Sequence, residues 1–256
     1  MSVAVVTGAS RGLGRGIALA LAADGFDVVV GFAADAAGAD ATAAAVEERG
    51  ARAVTVAGDV ADPGTAKVLL DAAVAGLGGL DTWVNNAGVS VLAPVVDTSP
   101  ADIARMVDVN LMGTVHGLQA AARWFLDEGR PGRIVNIASE LGVLAFPYLG
   151  GYAASKFAVV GLTQAAAIEL APAGITVNAV CPGTAETDMV LAERASEVAI
   201  TGSAPGTVRQ SYLDGIPAGR FCEPADVGAA VAYLAGPGAA YVTGQSICVN
   251  GGSVLR

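Results

Sequence analysis

Residues 2–14 read SVAVVTGASRGLG. The first six carry no charge and are rich in β-branched side chains, the composition of a buried strand. Gly8, Gly12 and Gly14 punctuate the turn that follows, and apolar residues recur beyond it at Ile17, Leu19, Ala20 and Leu21 in a helical pattern. Strand, glycine turn and helix in that order make an anion site. Glycine lets the chain turn tightly and lets a pyrophosphate approach the backbone, while the free N–H groups and dipole of the helix start favour negative charge. The spacing is Gly-x-x-x-Gly-x-Gly, not the Gly-x-Gly-x-x-Gly of the commoner dinucleotide turn.

The same alternation runs on. Strand-like stretches fall at 2–7, 27–32, 52–57, 80–84, 132–138, 174–180 and 245–249, with helix-like stretches at 12–24, 40–50, 62–76, 100–127, 151–171 and 224–235. Near-continuous apolar strands between helices predict a parallel sheet covered on both faces. Right-handed crossovers make it doubly wound, a Rossmann-like α/β fold. No linker or repeat divides the chain, so 1–256 is expected to be one dinucleotide-binding and catalytic domain. Ligands of such sheets lie at the carboxyl ends of the strands. Ser10, Asn86, Ser139 and Thr184 all follow strand ends and are expected to gather there.

The second strand bears on the ligand. In NAD-binding units an acid at its end holds the adenosine ribose hydroxyls. Phe32, then Ala33 and Ala34, stand there instead, and Arg11 sits inside the glycine turn, where a guanidinium meets a 2′-phosphate. NADP(H) is therefore favoured, with Asp35 and Asp40 leaving NAD(H) open.

A second constellation lies at Tyr152-Ala153-Ala154-Ser155-Lys156, with Ser139 thirteen residues upstream. Tyr152 and Lys156 are one helical turn apart on one face. An ammonium beside a phenol favours the phenolate and is expected to lower a pKa that is ordinarily about 10. Tyr152 then exchanges a proton with a substrate oxygen, as general acid–base work requires. A helix-start tyrosine and an exposed lysine is the plain alternative for this pair taken alone.

Taken together, these residues resemble the short-chain dehydrogenase/reductase family over essentially the whole chain. Thr7 through Gly14, with Gly8, Ser10, Arg11, Gly12, Leu13 and Gly14, is similar to that family's cofactor turn. Asp59-Val60 is similar to its adenine-contacting pair, and Asn85-Asn86-Ala87-Gly88 to its NNAG element. Asn110, Ser139, Tyr152 and Lys156 fall where the family keeps its catalytic residues. Pro182-Gly183-Thr184-Ala185-Glu186-Thr187 resembles the loop that closes on the nicotinamide. The resemblance implies that Tyr152 is the general acid for reduction and the base for oxidation. It implies that Lys156 lowers the Tyr152 pKa and holds the nicotinamide ribose, that Ser139 orients the substrate oxygen, and that Asn110 anchors a proton-relaying water. It also implies a homotetramer built through the long helices, where Phe157, Val160, Gln164, Ala167 and Ile168 offer a face. Two departures stand out. Phe32 and Ala33 lack both the acid of the NAD type and the arginine of one NADP type. Glu140 follows Ser139 where small or apolar residues are common; it either lines the substrate pocket or faces solvent.

Composition narrows the partners. Net charge is −10 with no basic cluster, which disfavours nucleic acid and gives an acidic carrier protein no attraction. Residues are 54% apolar and 15% charged, yet no stretch has the length of a membrane span and no signal-peptide core follows Arg11 and Arg15. Cys181, Cys222 and Cys248 are scattered, which argues against a metal or disulfide framework and suits a reducing, cytoplasmic compartment. His116, the single histidine, is expected to pack rather than catalyse.

The stretch from about 188 to 221 is broken by Gly202, Pro205, Gly206, Gly215, Pro217 and Gly219, and reads as an irregular, apolar substrate lid. With Leu92, Ala93, Leu141, Val143, Phe146 and Tyr148 it would suit a small or medium, mainly uncharged carbonyl compound. The residues 152–182 resemble polyol, diol and acetoin-type dehydrogenases, whereas 183–189 resemble 3-oxoacyl-carrier-protein reductases and polyketide ketoreductases. Outside this class stand an NADP(H)-sensing protein without turnover and a nucleotide-sugar epimerase or dehydratase. The Ser139–Tyr152–Lys156 set speaks against the first, and the few residues after Val249 against the second.

Overall fold

The apolar runs pair side by side in the computed structural model, which describes residues 2–255. The strands are β1 (Ser2–Val6), β2 (Phe26–Phe32), β3 (Ala53–Ala57), β4 (Thr82–Asn85), β5 (Arg133–Ile137), β6 (Thr176–Pro182) and β7 (Ser246–Val249). All their pairings are parallel, in the order β3-β2-β1-β4-β5-β6-β7. The chain winds from β1 outward to β3, then returns across β1 to β4 and winds the other way. The crevice where the direction reverses lies between β1 and β4, the place where doubly wound sheets bind ligands.

Strand alternation divides the core. Ala4, Val6, Val28 and Val30 face one layer, formed by α1 (Gly12–Ala23), α2 (Ala36–Glu47) and, late in the chain, the helix Pro224–Ala235. Val3, Val5 and Val29 face the other. That second layer holds α3 (Pro63–Asp71), α4 (Pro100–Met106), α5 (Gly113–Asp127) and α6 (Gly150–Leu170). Trp83 and Phe125 are fully buried in it, and burying a side chain of that size contributes about 2–3 kcal/mol.

A buried polar chain threads this layer. The Trp83 indole donates to Asn85 Oδ1 (2.7 Å), Asn85 Nδ2 to Asn136 Oδ1 (2.9 Å), Asn136 Nδ2 to Thr163 Oγ1 (2.9 Å), and Thr163 to the Val159 carbonyl (2.8 Å). Buried polar groups are costly unless paired, so the chain fixes the register of α6 against β4 and β5. α6 is the helix that carries Tyr152 and Lys156.

Several boundaries depart from the sequence expectation. α2 begins at Ala36 rather than 40, because the Asp35 carboxylate caps it by accepting from the Gly38 N–H at 3.0 Å. The stretches 72–77 and 107–112 are π-helical, the second directly between α4 and α5. The segment from 188 is not irregular. It forms α7 (Asp188–Thr201) and α8 (Pro205–Asp214), followed by α9 (Pro224–Ala235). Gly202 adopts φ 68° as the stop of α7 and Pro205 opens α8. These residues end and start helices rather than break them. On α6, Phe157 and Ile168 are exposed as expected, but Ala167 faces the core. Among the described residues no helix is long and apolar enough to cross a membrane.

Candidate active site

The glycine turn is held by the β4 end. Asn86 Nδ2 donates to the carbonyls of Thr7 (2.9 Å) and Gly8 (3.0 Å), while Thr7 Oγ1 accepts from the N–H groups of Asn86 (2.9 Å) and Ala87 (3.0 Å). Nothing larger than glycine fits. A Cβ on Gly14 would lie 2.1 Å from the Gly8 carbonyl oxygen, and one on Gly8, at φ 63°, 2.9 Å from Ala87 Cα. α2, α3 and α4 are capped by the side chains of Asp35, Asp62 and Ser99, but no side chain caps α1. Its first N–H groups open onto the crevice. An uncapped helix start beside a bare backbone cradle fits a pyrophosphate, so the residues present fit a dinucleotide.

A cavity of about 1220 Å³ runs from this turn across the sheet edge. That exceeds the volume of a typical small-ligand pocket and leaves room for a dinucleotide and a small substrate together. Gly8, Ser10, Arg11, Gly12, Leu13, Gly14, Asp59, Val60, Asn86, Ala87, Gly88, Ser139, Tyr152, Lys156, Pro182, Gly183, Ala185 and Thr187 all line it. The His116 ring donates from Nδ1 to the Val60 carbonyl at 3.0 Å and so packs behind the Asp59–Val60 pair. Asp40 is exposed on α2 and does not reach the cavity, whereas Asp35 does.

Asn110 alone of the expected site residues stays behind the wall. Fully buried in the π-helical turn, its Oδ1 accepts from the Val89 N–H (2.8 Å), and its Nδ2 donates to the Val89 carbonyl (2.9 Å) and to Ser155 Oγ (3.0 Å). Its side chain clamps the loop after β4 to α6. Both amide hydrogens are committed, and each Asn110 oxygen, Oδ1 and the main-chain carbonyl, accepts one hydrogen bond and has a lone pair left for a second.

Ser139 Oγ accepts from the Leu141 N–H at 3.1 Å, so its own O–H is free to donate, and it lies within reach of the Tyr152 phenol. Lys156 Nζ donates to the Ile137 carbonyl at 2.8 Å and stands 5.7 Å from the centre of the Tyr152 ring. The electrostatics differ from the sequence expectation. Burial, and next the charge of Glu193, push the Tyr152 pKa well above its usual value. Burial also pulls Lys156 down to about 8. Desolvation penalises both charged forms, so the phenol is held protonated.

Glu140 is not solvent-facing. It is buried on the cavity wall with its carboxyl turned to the C-terminal loop, where it accepts from the Ser253 hydroxyl, and burial raises its pKa. Arg11 is not free: it pairs with Asp188 at 3.4 Å and approaches Asp35 to 4.0 Å. Among the substrate-side candidates, Leu141, Phe146 and Tyr148 line the cavity. Leu92 packs behind them with Leu141 and Leu149, Ala93 donates its N–H to the Tyr148 carbonyl at 2.8 Å, and Val143 packs beside Cys181. Tyr148 has φ 67°, a left-handed conformation that costs a tyrosine about 1–3 kcal/mol. No local sequence signal marks it. Nor was the inward face of α7 foreseen, although the acids Glu193 and Glu197 at helical spacing were a usable signal.

A dinucleotide cradle and a Ser-Tyr-Lys group on one sheet edge define a nicotinamide-dependent oxidoreductase. Residues 2–198 match the model of the short chain dehydrogenase family. The chain is 41% identical to L-2,3-butanediol dehydrogenase of Corynebacterium glutamicum, over 99% of each chain. It is 37% identical to the 3-oxoacyl-acyl-carrier-protein reductase FabG of Staphylococcus aureus, covering 98% of each. The solved acetoin dehydrogenase of Enterobacter cloacae superposes with a TM-score of 0.85 at 36% identity, covering 98% of this chain and 95% of that one. The chain belongs to the short-chain dehydrogenase/reductase family, oxidoreductases that interconvert carbonyl and alcohol groups with NAD(P)(H).

Proposed function

We propose that this enzyme reduces a small ketone, or oxidises the matching alcohol, with Tyr152 as the proton-transferring residue. The observation that carries the reading is the half-buried Tyr152 phenol at the wall of a dinucleotide-sized cavity, within hydrogen-bond reach of Ser139 and beside Lys156. When bound, the dinucleotide supplies the hydride for reduction or accepts it for oxidation. In reduction the carbonyl carbon gains that hydride while Tyr152 gives its phenolic proton to the oxygen. Ser139 donates to the same oxygen and orients it. Lys156, near 8, changes its proton count close to neutral pH and restores the proton to Tyr152. Asn110 is a positioning residue that holds the loop after β4 against α6. α7 and α8, within about 188–221, form the lid, their inner faces closing the substrate end. Tyr152→Phe is expected to keep coenzyme affinity, measured by nicotinamide fluorescence, and to lose about 10²- to 10⁴-fold in turnover. Near-normal turnover sinks the proton-transfer role.

NADP(H) is preferred over NAD(H) by a modest margin. Arg11, Ala33 and Ala34 favour a 2′-phosphate, while Asp35, at the same rim, opposes it. A small diol or acetoin-type substrate is favoured by the relatives named above. The likeness to the acyl-carrier-protein reductase supports a second reading, reduction of 3-oxoacyl or polyketide thioesters, against which the net charge of −10 offers an acidic carrier no attraction. The exposed Phe157 and Ile168 on α6 and the free edge of β7 support a homotetramer, for which light scattering should return four times the monomer mass. Three free cysteines fit the cytoplasm.

A further inference from the structure

Among the described residues every positive φ belongs to a glycine except that of Tyr148, at 67°. A left-handed backbone suits glycine, which has no Cβ to crowd the next carbonyl. Gly150 and Gly151 lie only two and three residues on, at the start of α6, and neither has a positive φ. Glycine is thus at hand in the sequence and absent from the one position beside it that would suit it. The conformation is pinned from both sides. The Tyr148 carbonyl accepts from the Ala93 N–H at 2.8 Å, and the next residue, Leu149, is buried with its carbonyl accepting from the Ala153 N–H at 2.8 Å. Backbone strain persists only where the surroundings over-determine it, and it gathers at sites of function. What this position holds in place is a ring on the cavity wall. Tyr148 packs against Leu92, Leu141, Leu149 and Ala153, the cluster on which Tyr152 also packs, and it lines the cavity beside Leu141 and Tyr152.

We propose that Tyr148 is a specificity residue, a size filter whose ring closes the substrate end against ketones that carry a group as large as phenyl. This rests on the carbonyl–alcohol activity proposed above. Apolar contacts alone discriminate weakly between a small ketone and a larger one, so rejecting the larger needs a repulsive element. A ring on a backbone pinned at both ends is such an element, because it does not swing aside. Truncating it opens a space on the order of 100 Å³, and an apolar cavity of about 150 Å³ takes a benzene ring. Ring and strain are separable. Alanine and glycine both remove the ring, but only glycine relieves the backbone.

The test compares kcat/KM for acetophenone and butan-2-one in the wild type, Tyr148→Phe, Tyr148→Ala and Tyr148→Gly, with the Tm of each. Coenzyme is saturating NADPH, or NADH where titration shows that it binds more tightly, and the same titration shows that each variant is folded. The wild type should favour butan-2-one. Tyr148→Ala and Tyr148→Gly should each raise the ratio of acetophenone to butan-2-one by about tenfold or more. Tyr148→Phe, which keeps the ring, should keep the wild-type ratio. Tyr148→Gly should melt above Tyr148→Ala by about 2 °C or more, because both lose the same packing and only glycine loses the strain. Where Tyr148→Ala does not fold, Tyr148→Gly carries the ratio. A tyrosine that merely packs would move Tm and lower both activities together; it would not let a larger ketone in. An unchanged or lowered ratio in the truncated variants overturns the proposal, as does a ratio raised equally by Tyr148→Phe. So does a wild type that favours acetophenone, or turnover of other carbonyls but neither of these by all four proteins. If no carbonyl or alcohol is turned over at all, the activity itself is refuted and the assignment falls with it.

Discussion

The two ends of the cavity are built by different means. The dinucleotide end is backbone: glycine turn, strand ends and an uncapped helix, locked by Asn86 and Thr7 at 2.9–3.0 Å. The substrate end is side chains on α7 and α8, tied back by Arg194 and Arg209, which both reach Glu186 and stack on Phe221. A backbone cradle tolerates almost no change and serves one ligand class. A pocket wall of side chains on separate helices is retuned by single substitutions. The first end therefore carries what is common to the family and the second what is particular to this enzyme.

The sharpest way to break that contrast is at Gly14. Gly14→Val places carbon where the Gly8 carbonyl already stands, 2.1 Å away. Titration with NADPH and NADH is expected to show binding of both lost, by far more than any substitution on the inner face of α7 loses. Retained binding would mean that the turn gives way and is no rigid cradle. A substitution on the inner face of α7 should instead split one ketone from another, with coenzyme affinity kept.

The smallest expected effect lies at the seam. Arg11 touches the glycine turn on one side and Asp188, the first residue of α7, on the other. Arg11→Ala should weaken NADPH relative to NADH by about tenfold, the worth of one partly exposed charge-assisted contact. If NADH weakens equally, the arginine holds the lid rather than the 2′-phosphate, and the two ends are coupled through it.

Much of the first end was legible. Gly8, Gly12 and Gly14 lie directly after a strand, and Asn86, Ser139 and Thr184 also end strands, so a parallel sheet had to bring them to one edge. The second end was misread at its most visible feature. Gly202 and Pro205 looked like breaks and are a helix stop and a helix start. Local punctuation does not say whether a glycine ends one helix or prevents any. The electrostatics were misread for a related reason. The spacing of Tyr152 and Lys156 is local, but their burial is not, and burial reversed the expected direction for the tyrosine.

The sequence by itself determined the β/α alternation, the glycine turn after β1 and the placing of Tyr152 and Lys156 on one helix face, because each rests on contacts within a turn or two of chain. Only the tertiary structure decided that the Asn110 side chain clamps the loop after β4 to α6 and that Glu140 is tied to Ser253, 113 residues away. Desolvation and pairing depend on what the rest of the chain packs against a group, and no stretch of neighbouring residues contains that information.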